Sequence, residues 1–405
     1  MKRLLGIALG IVTSIGGFLE IGSITTAAQA GADFHYQLIW AVVLGTLCIA
    51  LLIEMSGRFA AVSKHTIADA MRERFGLHFF MVPVVLVFFV SLLVLAAEIG
   101  GVCVALELVT GIHYSLWGLP VGLLAWGLLW YGTFSVIENG VSMLGLITIA
   151  FLVAALQLGP DWHALGSGLV PTLPDKQPAH YWFIAVSILG ASISPYLFYF
   201  YSSGAIEEKW DVSYLAANRT VAAVGMGFGG FLNIAVLVVS ALVLAPRGIS
   251  VEKYAQLPLL LTTPWGRLGL ALFAGCLFIT CLGATTEIAL ALAYQIAQGF
   301  GWNWGEDIEP KDDARFSLMY TVTLLLATIL VVVGLDPLKL TTLSMALTAA
   351  SLPVSIVPFL VLMNDRSYLG EHTNGWLGNL SILIVSVLAA VVALVSIPLE
   401  IAGGS

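Results

Sequence analysis

The sequence predicts an all-α integral membrane protein, and three features predict it. Apolar side chains make up 59% of the 405 residues and charged ones only 10%, against about 25% charged in a soluble domain. The charges fall in short clusters separated by apolar stretches long enough to cross about 30 Å of hydrocarbon as helices. The segments between those stretches are short, and none could fold as a water-soluble domain. A chain this poor in charge cannot clothe a surface that faces water on every side, so lipid must cover much of it. The net charge of −8 says nothing of topology, because orientation follows where Lys and Arg lie.

Apolar runs place spans at about 4–28, 36–58, 79–110, 116–134, 140–158, 180–203, 219–246, 265–298, 315–335, 338–363 and 375–398. The expected organisation is one membrane domain over 1–405. A first repeat covers about 4–158, a second about 180–363, and an extra helix about 375–398. With the N-terminus inside, the inner segments hold Lys2, Arg3, Arg58, Lys64, Arg72, Arg74, Lys209, Arg219, Lys311, Arg315 and Arg366. The outer segments hold Lys176, Arg247, Lys253, Arg267 and Lys339. This bias predicts a cytoplasmic N-terminus and an external C-terminus, and the short loops suit a bacterial inner membrane. Segment 61–76 is too polar to span and reads as an amphipathic helix on the inner surface. Lys2, Arg3 and Ala28-Gln29-Ala30 mimic a cleaved leader, but Glu20 interrupts the apolar segment and many spans follow, so the first segment reads as a retained span.

Several function classes are unsupported. Cys48, Cys103, Cys276 and Cys281 sit in apolar runs with no paired spacing, and read as small buried residues. His35, His65, His78, His113, His163, His180 and His372 fall in loops or span ends, away from span interiors. No phosphate-binding loop, nucleotide fold or Ser-His-Asp constellation appears, and no basic patch suits nucleic acid. The expectation is neither an enzyme nor a cofactor protein but a monomer in lipid.

Two spans look interrupted. The first contains Gly16-Gly17 and then Glu20-Ile21-Gly22-Ser23, and the sixth contains Gly190-Ala191-Ser192-Ile193-Ser194-Pro195. They stand at corresponding places of two five-span halves, the pattern of a transporter site built on inverted repeats. The competing reading is a pair of packing kinks, since Gly and Pro are common in membrane helices. A broken helix leaves carbonyls and amides to be satisfied, and an ion can satisfy them.

Ionised carboxylates at the bilayer centre cost at least about 2.5 kcal/mol on insertion scales, which makes Glu20, Glu54, Glu98, Glu107 and Glu287 informative. Glu107 lies near a span end, and Glu54 stands four residues before Arg58, the spacing of a local ion pair. Glu20, Glu98 and Glu287 lie deeper with no basic neighbour in sequence. Glu20 at the first break, with carbonyls and the hydroxyls of Ser23, Ser192 or Ser194, makes an all-oxygen cation site. A protonated Glu20 hydrogen-bonded within the bundle is the alternative. Asn233, mid-span in the seventh helix, reads as an interhelical hydrogen bond or a further ligand.

The run Gln29-Ala30-Gly31-Ala32 followed by Tyr36-Gln37-Leu38-Ile39-Trp40 resembles the first and second spans of the Nramp divalent-metal transporters. Glu98-Ile99-Gly100-Gly101 resembles their third span. Leu352-Pro353-Val354-Ser355-Ile356-Val357-Pro358-Phe359, then Asn364-Asp365-Arg366 and Gly370-Glu371, resembles their tenth span and its exit. The resemblance runs through nearly the whole chain and implies eleven spans, the LeuT-type fold with two inverted five-helix repeats, and a cation site between broken helices 1 and 6. The site motifs depart from the family. Its Asp-Pro-Gly-Asn reads Glu20-Ile21-Gly22-Ser23, its Met-Pro-His reads Ser194-Pro195-Tyr196, its later histidine falls on Tyr201, and a third-span aspartate falls on Leu95.

These readings combine into one expectation: a secondary transporter or facilitator of a divalent cation, working by alternating access. Glu20, Ser23 and Ser194 are the expected side-chain ligands, and Ala191 offers a backbone carbonyl. Glu98 and Glu287 tune or relay charge. Gly22, Pro195, Tyr196, Tyr201 and Asn233 gate or pack the path. Losing the family's methionine thioether at Ser194 favours magnesium over manganese, and losing both histidines and the aspartate predicts weak or absent proton coupling. The alternatives are a carrier of a small organic solute or anion on the same fold, or a non-transporting sensor or scaffold.

Overall fold

A computed structural model describes residues 20–131, 146–172, 177–305, 308, 311 and 314–401. Lys2, Arg3, Gly16-Gly17, the start of the expected fifth span and Lys176 lie outside the described residues. Thirteen principal helices follow one another: α1 (Ile21–Phe34), α2 (Ile39–Ser63), α3 (Ile67–Phe75), α4 (Leu77–Thr110), α5 (Tyr114–Tyr131), α6 (Ile149–Leu158), α7 (Pro178–Ser192), α8 (Pro195–Glu207), α9 (Leu215–Val243), α10 (Leu259–Phe300), α11 (Ala314–Val332), α12 (Pro337–Met363) and α13 (Trp376–Ile401). Among the described residues, eight segments are long and apolar enough to cross a membrane, with α7 and α8 together forming one of them. Helices α1, α5 and α6 occupy the other three expected positions, consistent with eleven spans.

Burial ranks the helices from centre to rim. The most apolar window of α7–α8 is 100% buried, whereas that of α13 is 33% buried, so the broken pair is the axis and α13 faces lipid. Helix α1 packs against α7, α9 and α12, and α7 packs against α2, α12 and α13. Close approach at the axis depends on small residues. A methyl group on Gly190 of α7 would lie 1.8 Å from the Met345 carbonyl oxygen of α12, so these two backbones touch only because Gly190 has no side chain.

Two boundaries differ from expectation for identifiable reasons. Helix α2 runs on to Ser63, where Lys64 takes a left-handed conformation and ends it, so residues 61–63 belong to the span and not to the amphipathic segment. What remains of that segment is α3, capped by the Thr66 hydroxyl accepting from the Asp69 amide. It buries Ile67, Ala68, Ala70 and Met71 and packs on α4 and α10. Helix α10 begins at Leu259 but bends at Gly266, whose φ of 55° and ψ of −129° only glycine adopts readily.

One end of the bundle gathers the charge. Arg58, 8% exposed, pairs with Glu54 at 3.1 Å, as its spacing predicts, and its Nη2 donates to Asn374 Oδ1 at 2.7 Å. Arg219 of α9 reaches the same Glu54 at 3.5 Å. Arg74 pairs with Asp365 at 2.9 Å in the turn between α12 and α13. Hydrogen bonds from the Ser367 hydroxyl and amide, with Arg74 beside it, hold the Asp365 carboxyl below the usual carboxylate range.

Gly190→Ala should lower the unfolding temperature in detergent, with a destabilisation of about 1–3 kcal/mol. Gly227→Ala, on α9 with open space around it, should be neutral or stabilising by the usual helix-propensity margin. A carboxyl held low in the folded state contributes stability above its unfolded value and loses it as pH falls through its folded value. Asp365→Asn should therefore lower the unfolding temperature at neutral pH, and the deficit should shrink as the pH drops through the carboxylate range.

Candidate functional site

The first break is an exposed helix start inside the bundle. Glu20 is extended (φ −103°, ψ 175°) and α1 starts after it, so the amides of the first turn fall outside that helix's own hydrogen-bond ladder. Glu98 of α4 accepts from the Ile21 amide at 3.2 and 3.4 Å through its two oxygens. The Glu20 carbonyl accepts from the Ile24 amide at 3.1 Å. Glu20 is 1% exposed and Glu98 0% exposed. Tyr196 Oη donates to Glu20 Oε2 at 2.9 Å, and Glu20 Oε1 has no hydrogen-bond partner among the described residues. No Lys, Arg or His among the described residues forms an ion pair with Glu20 or Glu98. The partial positive charge at the starts of α1 and α8 offsets only part of this.

The second break exposes the opposite chemistry. Helix α7 ends at Ser192, Ile193 leaves helical geometry (φ −109°, ψ 67°), and Ser194 is extended before α8 starts on Pro195. Ile193 donates the last regular bond, to the Leu189 carbonyl at 2.8 Å. Four residues beyond Ala191 stands Pro195, which has no N–H to give. Among the described residues the Ala191 carbonyl therefore accepts only from the Ser194 hydroxyl, at 3.4 Å, and keeps a lone pair to offer. Ser192 is 2% exposed and its hydroxyl has no partner among the described residues. It packs against α2 where a methyl group on Gly45 would lie 2.5 Å from its Cβ.

The predicted residues divide by place. Glu20 and Tyr196 are joined directly, and Ser23, fully buried, follows within the first turn of α1. Pro195 starts α8 and sets Tyr196 in its first turn. Glu98 holds the first amide of α1, which makes it a positioning group as well as a charge. Glu287 lies on α10, the helix that packs along α4 and against α8. Tyr201 does not join the site. Its hydroxyl donates to Asn218 Oδ1 at 3.1 Å, and Asn218 Nδ2 donates to the Glu54 carbonyl at 2.8 Å, tying α8, α9 and α2 together at the charged end. Asn233 corrects an expectation. It is fully buried, yet neither its amide oxygen nor its nitrogen has a hydrogen-bond partner among the described residues, so it forms no interhelical bond.

Two residues escaped the sequence reading. Cys281 of α10 lies against the Glu98 carboxylate. Met345 of α12 fills the space beside Gly22: a methyl group there would lie 2.4 Å from its Cε and 2.7 Å from its Sδ. The available signal was a single long flexible side chain within Thr341–Ser351, a stretch otherwise rich in Thr, Ser and Ala. Among the described residues no three or more His, Cys, Asp and Glu side chains cluster closely enough to hold a metal. A cation at the breaks would rest on a mixed set of carboxylate, hydroxyl and carbonyl groups.

Known structures share this architecture. A mutant of the manganese transporter of Eremococcus coleocola superposes with a TM-score of 0.81 at 22% identity, covering 98% of this chain and 87% of that one. MhsT in complex with L-phenylalanine gives a TM-score of 0.62 at 14% identity, covering 96% and 97%. Mhp1, a nucleobase-cation-symport-1 family transporter with bromovinylhydantoin bound, gives 0.61 at 14% identity, covering 96% and 91%. These likenesses establish the fold, with its paired broken helices, as the LeuT type. The family model described as natural resistance-associated macrophage protein-like matches residues 10–398, and the chain accordingly belongs to the Nramp family.

Proposed function

We propose that the protein carries a divalent metal cation across the membrane by alternating access, as a secondary transporter or facilitator, with the ion seated between α1 and the α7–α8 break. The observation that carries this reading is Glu20: it is 1% exposed, has one oxygen unpartnered and pairs with no basic side chain among the described residues. A buried carboxylate is tolerated when a charge compensates it, and a passing cation is the compensating charge. The similarity to a manganese transporter supports a divalent ion. Glu20, the Ser23 and Ser194 hydroxyls and the Ala191 carbonyl are the proposed donors. These oxygens suit magnesium, which keeps several waters and needs few carboxylates. Glu98 and Glu287 surround the seat with negative charge and attract a cation. With leucine at position 95 and tyrosines at 196 and 201, proton coupling is weak or absent in this reading.

The gathering of Arg58, Arg74 and Arg219 at one end of the bundle supports a cytoplasmic assignment for that end. The N-terminus is then cytoplasmic and the C-terminus external, in a plasma membrane of the bacterial inner type. All the proposed donors come from one chain, so a monomer suffices.

Uptake into proteoliposomes, measured separately for magnesium, manganese and calcium, tests the assignment. Glu20→Gln should lower divalent uptake on the order of 100-fold, because it removes the carboxylate proposed to bind the ion directly. Unchanged uptake would refute the site. Tyr196→Phe removes one charge-assisted hydrogen bond and should raise the apparent KM about tenfold. Uptake of amino acids or nucleobases without any divalent ion would instead favour an organic-solute carrier.

A further inference from the structure

We infer that the groove between α12 and α13 at the charged end holds one anionic phospholipid, with its acyl chain on the apolar walls and its phosphate on Arg74 and Arg366. The inference goes beyond the transport reading and holds whichever ion is carried. The groove is a cavity of about 810 Å³. Its walls are Val357 and Val361 of α12 and Leu380 and Leu383 of α13, each 38–45% exposed. Both helices are long and apolar enough to cross the membrane, so these side chains meet hydrocarbon. Val357 to Asn364 on one wall, and Trp376 to Leu383 on the other, each span about 10 Å of helix. The groove is therefore apolar along its length and polar at one end, the order of parts in a phospholipid.

The polar end selects the headgroup. Arg366 is exposed, and its guanidinium has no hydrogen bond or ion pair among the described residues. Arg74 gives its Nε to Asp365 at 2.9 Å, and its two terminal nitrogens have no bond among the described residues. Asp365 is already satisfied by the Ser367 amide at 2.9 Å and hydroxyl at 2.6 Å. Two arginines thus face one committed carboxylate, and the end of the groove carries net positive charge. Guanidinium N–H groups match phosphate oxygens in pairs. The groove is also held open in advance. Asn379 of α13 donates to Asn364 Oδ1 at 2.7 Å, and Asn364 donates to the Leu360 carbonyl at 2.6 Å, which ties the two helix ends together. Trp376, 71% exposed at the same end, is the amphipathic ring that sits at headgroup level. A zwitterionic lipid would fill the same walls but set its own cation near the arginines. A soluble phosphate ester would leave the walls unused.

Native mass spectrometry tests the site, on the full-length protein released from nanodiscs of equal phosphatidylglycerol and phosphatidylcholine with the same acyl chains. The wild type should retain one phosphatidylglycerol in preference to phosphatidylcholine. Arg366→Gln breaks no side-chain contact among the described residues and should lower that preference about fivefold. Adding Arg74→Gln should bring the loss to about 30-fold. Lys209→Gln removes an exposed cation at the same end but outside the groove, and should leave the preference unchanged. Leu380→Trp fills the groove, keeps both arginines and should remove the retained lipid. Because Arg74 also holds Asp365, the unfolding temperature in detergent provides a second readout. Phosphatidylglycerol should raise it for the wild type and not for Arg366→Gln, and glycerol phosphate should raise neither. Equal retention of the two lipids overturns the inference, as does a preference that Arg366→Gln leaves intact or that Lys209→Gln lowers as much. Stabilisation by glycerol phosphate overturns it too. So does a dimer that Leu380→Trp separates, since that gives the groove to a second copy. None of these measurements reads ion uptake, so the transport reading stands or falls on its own test.

Discussion

The arrangement turns on a buried carboxylate that the protein leaves without a basic partner. Glu20 and Glu54 show the contrast within one chain. Glu54, at the charged end, is paired with Arg58 and approached by Arg219, which is how an acidic group near a membrane surface is ordinarily stabilised. Glu20 receives only a tyrosine hydroxyl on one oxygen. The chain has 16 Lys and Arg residues, and among the described residues none is paired with Glu20. Filling that position with a fixed cation would neutralise the carboxylate and also remove the reason for an ion to stop there.

The two breaks give that carboxylate its setting, and they are complementary in sign. At α1 the backbone presents amides, and Glu98 takes the first of them. At α7 it presents carbonyls, because Pro195 withholds the N–H that would have capped Ala191. In the proposed reading, a cation between the breaks would meet carbonyl oxygen from one side and carboxylate oxygen from the other. The amides of α1 are kept away from it by a second carboxylate. Glu98 in this role does more than add charge, since without it the first amide of α1 would compete with the ion for Glu20.

Most of the fold was legible in the sequence because it follows from one-dimensional rules. Apolar run length gives the spans, and Gly or Pro beside Ser at mid-depth marks the breaks. The spacing of Glu54 and Arg58 gives their pair, which the structure bears out at 3.1 Å. What failed required knowledge of which helices meet. Asn233 reads in sequence as an interhelical hydrogen bond or a further ligand, and of these only the hydrogen bond is contradicted among the described residues, because a partner depends on a neighbouring helix face that sequence does not specify. Met345 was missed for the same reason. Its relation to Gly22 spans more than three hundred positions of sequence and exists only because α12 passes both breaks.

Alternating access requires that contacts on each side of the breaks part in turn, and the two sides are built differently. Toward the charged end, the Ser56 hydroxyl donates to the Phe198 carbonyl at 2.6 Å, Tyr201 holds Asn218, and Phe198 stacks on Phe359 with centroids 5.3 Å apart. Toward the opposite end, Gln29 donates to the Val251 carbonyl at 3.3 Å, the Tyr254 and Thr341 hydroxyls meet at 2.6 Å, and His180 stands 3.1 Å from Asp33. The first set anchors α8 to α2, α9 and α12, so opening there means swinging α8 about the hinge at Ile193 and Ser194. The second set fastens α1 to α7 and to the segment before α10, and fastens that segment in turn to α12, so opening there moves α1 or its covering segment. Apart from the His180–Asp33 contact and the Phe198–Phe359 stack, the bonds on each side are neutral hydrogen bonds that water can replace, worth about 0.5–1.5 kcal/mol apiece. The bond between Tyr196 and Glu20 joins α8 to the start of α1, the two elements that these openings move.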